Sequence, residues 1–446
     1  MMNKETAEKN IQKTLKGIKF AAKKALDGAV NLWKKARTIS FDKALLIWVL
    51  ALAAGFVLFK VVSKELPGMS SSLVFATWWE DSLEEETLSG LVSEFMSQNP
   101  GITVKLEKKN WDEIWTLLED EERVNGRNDR RRSALDIFSI DPYAIHELER
   151  RSFLAAFEND EISSGNALQV ISFINPLFYN IDLLQAAGFD RPPKNQTEFL
   201  SYVQRLKETG VNGAGLALSD PRNIGQQLLS WIWTSAGNPE AVQSFSFNSR
   251  EMIAVLNFLN QLNQNLYSDP FTLSEAELLE TFADGNLGMM IGSTRDIQKL
   301  KATEINFGIT TIPSPESYTK KPVFPLTVWY VGINHQSNNQ EGAQKFAVFL
   351  KERAETIAAA AYAVPGYGIR NRERSRNDPY YAKAFDMYEA AEMVREIYVS
   401  SNLNDFNSII QMEIELMFQG NKTPEACAEA IQLGWQDLAG TTPGFR

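Results

Sequence analysis

The chain has 446 residues, of which 44% are hydrophobic and 23% are charged, an ordinary globular composition with enough length for two or three domain-sized units. Its net charge of −11 is unevenly distributed, because residues 1–43 hold eleven basic and four acidic residues, which leaves −18 on the rest. An acidic domain repels phosphate backbones, so nucleic acid is not an expected partner, and the single cysteine, Cys427, excludes an intramolecular disulfide and a thiolate zinc cluster.

Residues 1–43 form a basic tail with the period of an amphipathic helix. Its apolar residues recur at steps of three and four, with lysines on the other face: Ile11, Leu15, Ile18, Ala22, Leu26, Val30 and Trp33. Two interpretations are open. The helix lies on anionic lipids of the inner leaflet, or it contacts the cytoplasmic helices of a partner.

Residues 44–62 are predicted to form one transmembrane helix. The segment is apolar apart from Lys60, whose ammonium can reach the interface along its apolar stem. The alternative is a cleaved signal peptide, but such a peptide has a short basic region, whereas the basic tail here is long. Because basic residues crowd the N-terminal flank, we expect a single-pass protein of the bacterial cytoplasmic membrane, with its N terminus inside and its C-terminal domain in the periplasm or outside.

Residues 63–72 are predicted to be a linker, and the C-terminal domain is predicted to span residues 73–446. Strand-like and helical runs alternate along it, which is typical of an α/β fold with a largely parallel, covered sheet. The predicted strands are 73–76, 102–106, 135–140, 170–173, 215–218, 287–291 and 328–333. The main predicted helices are 198–209, 253–266, 343–351, 379–400, 406–419 and 424–438.

The motifs of common enzyme classes are missing from this sequence. It has no GxxxxGK[ST] phosphate loop, no GxGxxG after a strand and no GxSxG nucleophile elbow. His146 opens the run HELER, which lacks the second histidine of a zinc protease, so we interpret it as an ordinary helix residue. The chain has only two histidines, so few residues are available for catalysis by a histidine base. We expect no enzyme activity, no cofactor and no metal.

Ten tryptophans and twelve tyrosines instead favour a surface that binds by stacking and hydrogen bonding. Open α/β sheets bind ligands at the C-terminal ends of their strands. The candidates at such ends are Trp78, Trp79, Glu80 and Asp81 after the first strand, Trp111 after the second and Asp141 after the third. Each has a structural alternative, since tryptophans pack in cores and acidic residues cap helices and turns. Trp231 and Trp233 flank one residue of a helix, so one of them is expected to face a cleft.

Four segments in register carry a resemblance to a known family. They are Pro176–Leu184 with Ala187-Gly188-Phe189 and Pro192-Pro193, then Phe282–Met290, then Ile312–Pro315, and finally Val331–Asn334 followed by Glu341–Leu350. In this order they resemble the extracytoplasmic solute-binding proteins of ABC importers, the family that includes sugar-binding and maltose-binding-like members.

The chain also departs from the family pattern. Family members commonly have an aromatic residue shortly after the strand that ends the second of these segments, whereas this chain has Gly292-Ser293-Thr294-Arg295 there. Arg295 is therefore a candidate clamp for a carboxylate or phosphate, with a surface ion pair as the alternative. Trp329 stands where many members have paired glycines, and Tyr367 resembles a residue of a late cleft loop.

The resemblance implies a two-lobed periplasmic-binding-protein type II fold that closes over its ligand. It places lobe 1 at about residues 73–175 and 293–335 and lobe 2 at about 176–292 and 336–446. The implied function is capture of a carbohydrate or related polar solute for ABC permease subunits in the membrane, by hinge closure. Two alternatives stay open: a ligand-free membrane scaffold or sensor on the same fold, and a glycosidase that uses carboxylates such as Glu80 and Asp81.

Overall fold

A computed structural model describes residues 71–84, 86–125, 133–157, 166–236, 246–366, 370–394 and 403–441. The predicted basic tail, the predicted membrane helix and nearly all of the predicted linker lie outside these ranges. Among the residues that are described, no helix is both long enough and apolar enough to cross a membrane.

The strands form two sheets, and we call the part of the chain built on each sheet a lobe. The first lobe has a seven-stranded sheet of β1 (Ser71–Thr77), β2 (Ile102–Lys108), β3 (Ile137–Ile140), β4 (Leu168–Ile174), β9 (Val323–Ile333), β10 (Val364–Pro365) and β11 (Glu392–Val394). The second lobe has a four-stranded sheet of β5 (Leu177–Asn180), β6 (Asn212–Gly215), β7 (Leu287–Ile291) and β8 (Phe307–Thr310). The two-lobed α/β architecture expected from the sequence is present, but the prediction of a largely parallel sheet is wrong, because both sheets contain antiparallel pairs.

The strand order differs between the two sheets. In the first lobe it is β10-β4-β9-β3-β1-β2, with β11 beside β9. There β1 runs parallel to β2 and β3, whereas β9 runs antiparallel to β3 and β4. In the second lobe the order is β6-β7-β5-β8, and only the β6–β7 pair is parallel.

Helices cover both sheets. Those packed on the first lobe are α1 (Thr87–Gln98), α2 (Trp111–Asn125), α3 (Ile145–Arg150), α11 (Gln340–Glu352) and α12 (Ala354–Ala360). Those of the second lobe are α4 (Ile181–Ala186), α5 (Gln196–Glu208), α6 (Ile224–Gln227), α7 (Leu229–Ala236), α8 (Arg250–Asn263), α9 (Glu275–Ala283), α10 (Ile297–Lys301), α13 (Arg372–Asn377), α14 (Pro379–Ala390), α15 (Leu403–Phe418) and α16 (Pro424–Thr441).

Burial of alternate or helically spaced apolar residues explains why these elements form. In β1, Leu73 and Phe75 are inaccessible to solvent, and they share a core with Phe346 of α11 and Phe95 of α1. Burial of each such side chain contributes on the order of 2 kcal/mol to folding, so the helices are held mainly by their apolar faces.

The chain crosses between the lobes more than once, and two segments differ from the expected boundaries. β8, at Phe307–Thr310, pairs with β5 in the second lobe, although the expected boundaries place residues 293–335 in the first. Conversely α11 and α12 pack in the core of the first lobe, although the expected boundaries place residues from 336 onward in the second. Both elements have an ordinary amphipathic pattern, which indicates that a face is buried but not which sheet buries it.

Candidate functional site

Three neighbouring strands of the first lobe end at one edge of its sheet. Because β1 lies between β2 and β3 and runs parallel to both, the residues that follow these strands emerge on the same side. Trp78 follows β1, Trp111 begins α2 after β2, and Asp141 follows β3. All three side chains are half-buried. The three positions that the sequence indicated are therefore neighbours, with part of each side chain accessible.

Trp78 and Trp111 form the aromatic part of this edge. Their rings meet edge to face with centroids 6.2 Å apart, and Trp111 also contacts Trp115 at 5.8 Å. A capping box fixes the start of α2: Asn110 Oδ1 accepts from the Glu113 N–H at 2.9 Å, and the Glu113 carboxylate accepts from the Asn110 N–H at 2.8 Å. This cap holds Trp111 at the first helical position, with its indole partly accessible.

The other tryptophans with predicted ligand contacts are core residues in this structure. Trp79 and Trp329 are 0% and 3% exposed and stack on each other in the first lobe. Trp231 is 1% exposed and packs between two phenylalanines in the second lobe, and Trp233 is equally buried, so neither faces a cleft. The structural alternative, packing, is thus the arrangement seen for all of them, and none offers a surface that a solute can touch here.

The remaining first-lobe candidates fall partly outside the described residues. The backbone of Glu80 and Asp81 belongs to a short 3₁₀ helix, Trp79–Ser82, but their side chains are not among those described. Tyr367 lies outside the described ranges altogether. Ligand contacts by these three residues stay predictions.

The second lobe presents an arginine toward this edge. Arg222 lies in the 3₁₀ helix Pro221–Asn223, and its Nε and Nη2 donate to the carboxylate of Asp220 at 3.0 and 2.7 Å. These hydrogen bonds raise the pKa of Arg222 above its ordinary value, against the effect of burial, and the negative charges of Asp141 and Asp112 raise it further. Arg222 therefore lies within electrostatic reach of two acidic residues at the first-lobe edge.

A cavity of about 310 Å³ lies in the second lobe, where β7 ends. It is lined by residues of α6, α9 and the turn after β7, among them Gln227, Glu275, Leu278, Met290, Ser293 and Arg295. A volume near 300 Å³ is at the lower end of the range for small-molecule sites.

Arg295 lies in this cavity between two carboxylates. Its Nη2 is 3.7 Å from Glu275 Oε2, and its Nε is 3.8 Å from Asp296 Oδ1. The Asp296 carboxylate also accepts a hydrogen bond from the Ser293 N–H at 2.8 Å, which closes the turn after β7. The ion-pair alternative for Arg295 is therefore the arrangement seen, although both contacts are longer than a hydrogen bond.

Burial raises the pKa of both carboxyl groups beside Arg295. Desolvation raises the pKa of Glu275 to about 7, because the stabilising charge of Arg295 does not offset the burial and the repulsion from Asp296. Desolvation also raises the pKa of Asp296, again against the effect of Arg295. Perturbed carboxyl groups in a cavity are a recognised mark of a functional site, although structural ion pairs produce them as well.

The sequence did not single out the second-lobe residues Asp220, Arg222, Gln227 and Glu275. The one available signal was the run Ser219-Asp220-Pro221-Arg222, polar residues that follow the predicted strand at 215–218. Glu275 begins α9 after the capping box of Ser274 and Glu277, so its position is typical of an ordinary helix start. Within the described ranges, no three His, Cys, Asp or Glu residues are grouped so that they could hold a metal ion.

Comparison with known proteins gives the same family for most of the chain. The family model for bacterial extracellular solute-binding proteins matches residues 81–356. A putative ABC transporter periplasmic-binding protein of Escherichia coli (strain K12), YcjN, is 23% identical over 317 residues, which cover 65% of this chain and 71% of YcjN. The sn-glycerol-3-phosphate-binding periplasmic protein UgpB of Agrobacterium fabrum is 23% identical over 289 residues, which cover 57% of this chain and 62% of UgpB.

Solved structures share the fold at low sequence identity. The GacH receptor of Streptomyces glaucescens, described unliganded and in complex with acarbose, superposes with a TM-score of 0.66 at 16% identity, covering 84% of this chain and 100% of the receptor. Maltose-bound T. maritima MalE3 superposes with a TM-score of 0.63 at 17% identity, covering 82% of this chain and 100% of MalE3. These likenesses confirm the two-lobed fold, and the match of the family model confirms the resemblance found in the sequence. The chain belongs to the family of bacterial extracellular solute-binding proteins and is a binding protein, not an enzyme.

Proposed function

We propose that this protein is the membrane-anchored, solute-binding component of an ABC importer and that it binds a carbohydrate or a related polar solute between its two lobes. The observation that carries the proposal is the edge of the first-lobe sheet, where Trp78, Trp111 and Asp141 follow three adjacent strands and where the charge of Asp141 acts on Arg222 of the other lobe. A solute in this cleft would contact both lobes, so its binding would favour the closed arrangement.

The chemistry of the cleft suits a sugar. The partly accessible indoles of Trp78 and Trp111 offer apolar faces for a pyranose ring, while Asp141 accepts and Arg222 donates hydrogen bonds to hydroxyl groups. Acarbose and maltose, named for two proteins of the same fold, are polyhydroxylated solutes of this kind. Of the sequence candidates we retain these first-lobe residues as ligand contacts, with Arg222 added.

The membrane anchor rests on the sequence alone. The apolar segment at 44–62 follows a basic tail, and the chain has no cysteine near its N terminus that could carry a lipid. We propose that this segment holds the domain at the outer face of the cytoplasmic membrane, while the tail contacts inner-leaflet lipids or the permease. Alkaline carbonate extraction tests it: the chain should stay in the membrane pellet, and a variant lacking residues 1–62 should be released.

Solute binding is tested by a thermal-shift screen of the full chain in mild detergent against sugars, polyols, peptides and glycerophosphodiesters. A solute at about a hundred times its Kd adds about 2.7 kcal/mol to the free energy of unfolding, which corresponds to a rise in Tm of several degrees. At least one carbohydrate should produce that rise. If no solute does, the ligand-free scaffold or sensor becomes the better account, in line with the missing aromatic residue after β7.

A further inference from the structure

The second-lobe cavity contains hydrogen-bond acceptors that lack donors. Gln227 is 1% exposed and donates from Nε2 to the Ile291 carbonyl at 3.2 Å, while its Oε1 has no partner in the part of the chain that the structure describes. Oε1 of Glu275 is likewise inaccessible and has no partner among the described residues. Both side chains line the cavity. A buried acceptor without a donor costs stability, so a group that donated to both oxygens while Glu275 is ionised would stabilise the site.

Two carboxyl groups and two cations line the cavity, and the cations differ in exposure. The carboxyl groups of Glu275 and Asp296 share the guanidinium of Arg295, at 3.7 and 3.8 Å. The side chain of Lys299 is 52% exposed and lies 3.8 Å from Glu280, and its charge also acts on Asp296. Asp220, which is bound to Arg222, adds a further repulsion on Glu275. Among the described residues, Arg295 is therefore the cation that acts on Glu275, over a contact longer than a hydrogen bond.

This charge pattern argues against an anionic ligand at Arg295. A carboxylate or phosphate that approached the guanidinium would also approach the two carboxyl groups already beside it, at 3.7 and 3.8 Å, and like charges at such distances repel each other. The anion clamp expected from the sequence at Arg295 is thus disfavoured. A cationic group, or one with several hydrogen-bond donors, would instead be attracted by the two carboxyl groups.

We propose that this cavity is a subsite for a protonated amine of the bound solute, with Glu275 as its charge partner and the Gln227 carbonyl as a second acceptor. The proposal rests on the proposed function, since it names the class of solute that the cleft selects. An ammonium group carries three donors and so can satisfy both oxygens at once, whereas a hydroxyl group carries only one. The ammonium would also give Glu275 a nearer charge partner than Arg295, whose Nη2 is 3.7 Å away.

The ionisation of Glu275 supports this assignment. A pKa of about 7 means that the carboxyl group of Glu275 is partly protonated at neutral pH. A cation bound beside it favours the charged form and must lower that pKa, so amine binding and deprotonation of Glu275 are linked. The groups that face Glu275 are Arg295, Asp296, Asp220 and Gln227. Of these, Asp296 also has a raised pKa, so a bound cation would favour the charged form of both carboxyl groups.

The first test compares three sugars that differ in one substituent: glucosamine, glucose and glucuronate. Their affinities for the full chain in mild detergent are measured by isothermal titration calorimetry at pH 7 and constant ionic strength. A charge-assisted hydrogen bond to a buried carboxylate predicts that glucosamine binds about tenfold or more tightly than glucose, and glucuronate more weakly than either.

Two variants identify the residue responsible. Glu275→Gln keeps the size of the side chain and removes its charge, so it should reduce the ratio of the glucosamine affinity to the glucose affinity to about one. Glu280→Gln removes one charge from the exposed side of the same helix, where the side chain is 66% exposed, and should leave the advantage intact. Equal affinities for glucosamine and glucose in the wild type, or an advantage that survives in Glu275→Gln, would overturn the amine subsite.

The second test does not depend on the choice of sugar. The pKa of Glu275 is followed by ¹³C NMR of glutamate carboxyl carbons, with the signal identified by its loss in Glu275→Gln. Methylammonium chloride should lower this pKa relative to sodium chloride at the same ionic strength, and an unchanged pKa would count against the subsite. If methylammonium lowers the pKa but no sugar binds, the subsite stands and the carbohydrate assignment fails. If a sugar binds with affinity independent of Glu275 and methylammonium has no effect, the subsite fails and the proposed function stands.

Discussion

Trp79 lies face to face on Trp329 in the core of the first lobe, with ring centroids 4.9 Å apart and ring planes 7° from parallel. Its neighbour Trp78 is half-buried at the edge of the cleft. Trp79→Ala should therefore reduce the free energy of unfolding by about 3–5 kcal/mol, because it leaves a large cavity in a packed core. Trp78→Ala should cost distinctly less, about 1–2 kcal/mol. Urea unfolding measures both changes. Equal losses of unfolding free energy in the two variants would contradict a core role for Trp79 and an edge role for Trp78.

Trp78 and Trp79 also show which features of the site can be predicted from the sequence. The positions of Trp78, Trp111 and Asp141 at one edge follow from three parallel strands, which the hydrophobic runs of the sequence indicate. Which of two adjacent tryptophans turns inward depends on the 3₁₀ helix that begins at Trp79, and no periodicity predicts that turn.

The second-lobe wall was missed for a different reason. Gln227, Glu275 and Arg295 are separated in the chain and line one cavity only because α6, α9 and the turn after β7 come together in the fold. The strand predicted at 215–218 lies at Asn212–Gly215, and the helix predicted at 379–400 ends at Ala390. The ends of strands and helices depend on tertiary packing. Tertiary packing also decides which lobe a short strand such as β8 joins.

Glu275 should make the stability of the protein depend on pH. Its pKa is about 7 in the folded protein and about 4.3 in an unfolded chain, so between these values the folded state holds a proton that the unfolded state has lost. The unfolding free energy contributed by this group therefore falls as pH rises from about 4 to 7, by about 1–3 kcal/mol in total. Denaturant titrations should show Glu275→Gln gaining stability over the wild type across this range. A constant difference between the two proteins would contradict the raised pKa.

Asp378 should have the opposite dependence. Its side chain is 6% exposed, and its Oδ2 accepts hydrogen bonds from Lys301 Nζ and Tyr362 Oη, each at 2.7 Å. Burial would raise the pKa of Asp378, but these two donors outweigh it and hold the pKa below its ordinary value. The stabilisation is therefore present above about pH 4 and is lost as pH falls through the lowered pKa.

Removing this carboxylate takes away the charged partner of Lys301, whose side chain is 39% exposed and whose Nζ also donates to Tyr362 Oη at 2.6 Å. Asp378→Asn should reduce the unfolding free energy at pH 7 by about 2 kcal/mol, whereas Tyr362→Phe, which removes one hydroxyl group, should cost about 1 kcal/mol. The difference between wild type and Asp378→Asn should shrink in acid below about pH 4. Equal effects of the two substitutions would argue that Lys301 contributes nothing to the cluster.

The cleft itself is tested most directly by calorimetric titration of the strongest solute from the screen into wild type, Trp111→Ala and Trp111→Phe. The partly accessible Trp111 ring is the part of the first-lobe edge that a sugar would stack on, and its loss should not disturb the core. Trp111→Ala should weaken binding by about tenfold or more, while Trp111→Phe keeps an aromatic face and should stay within a few-fold of the wild type. Binding to Trp111→Ala with wild-type affinity would contradict the assignment of the solute to the cleft between the lobes.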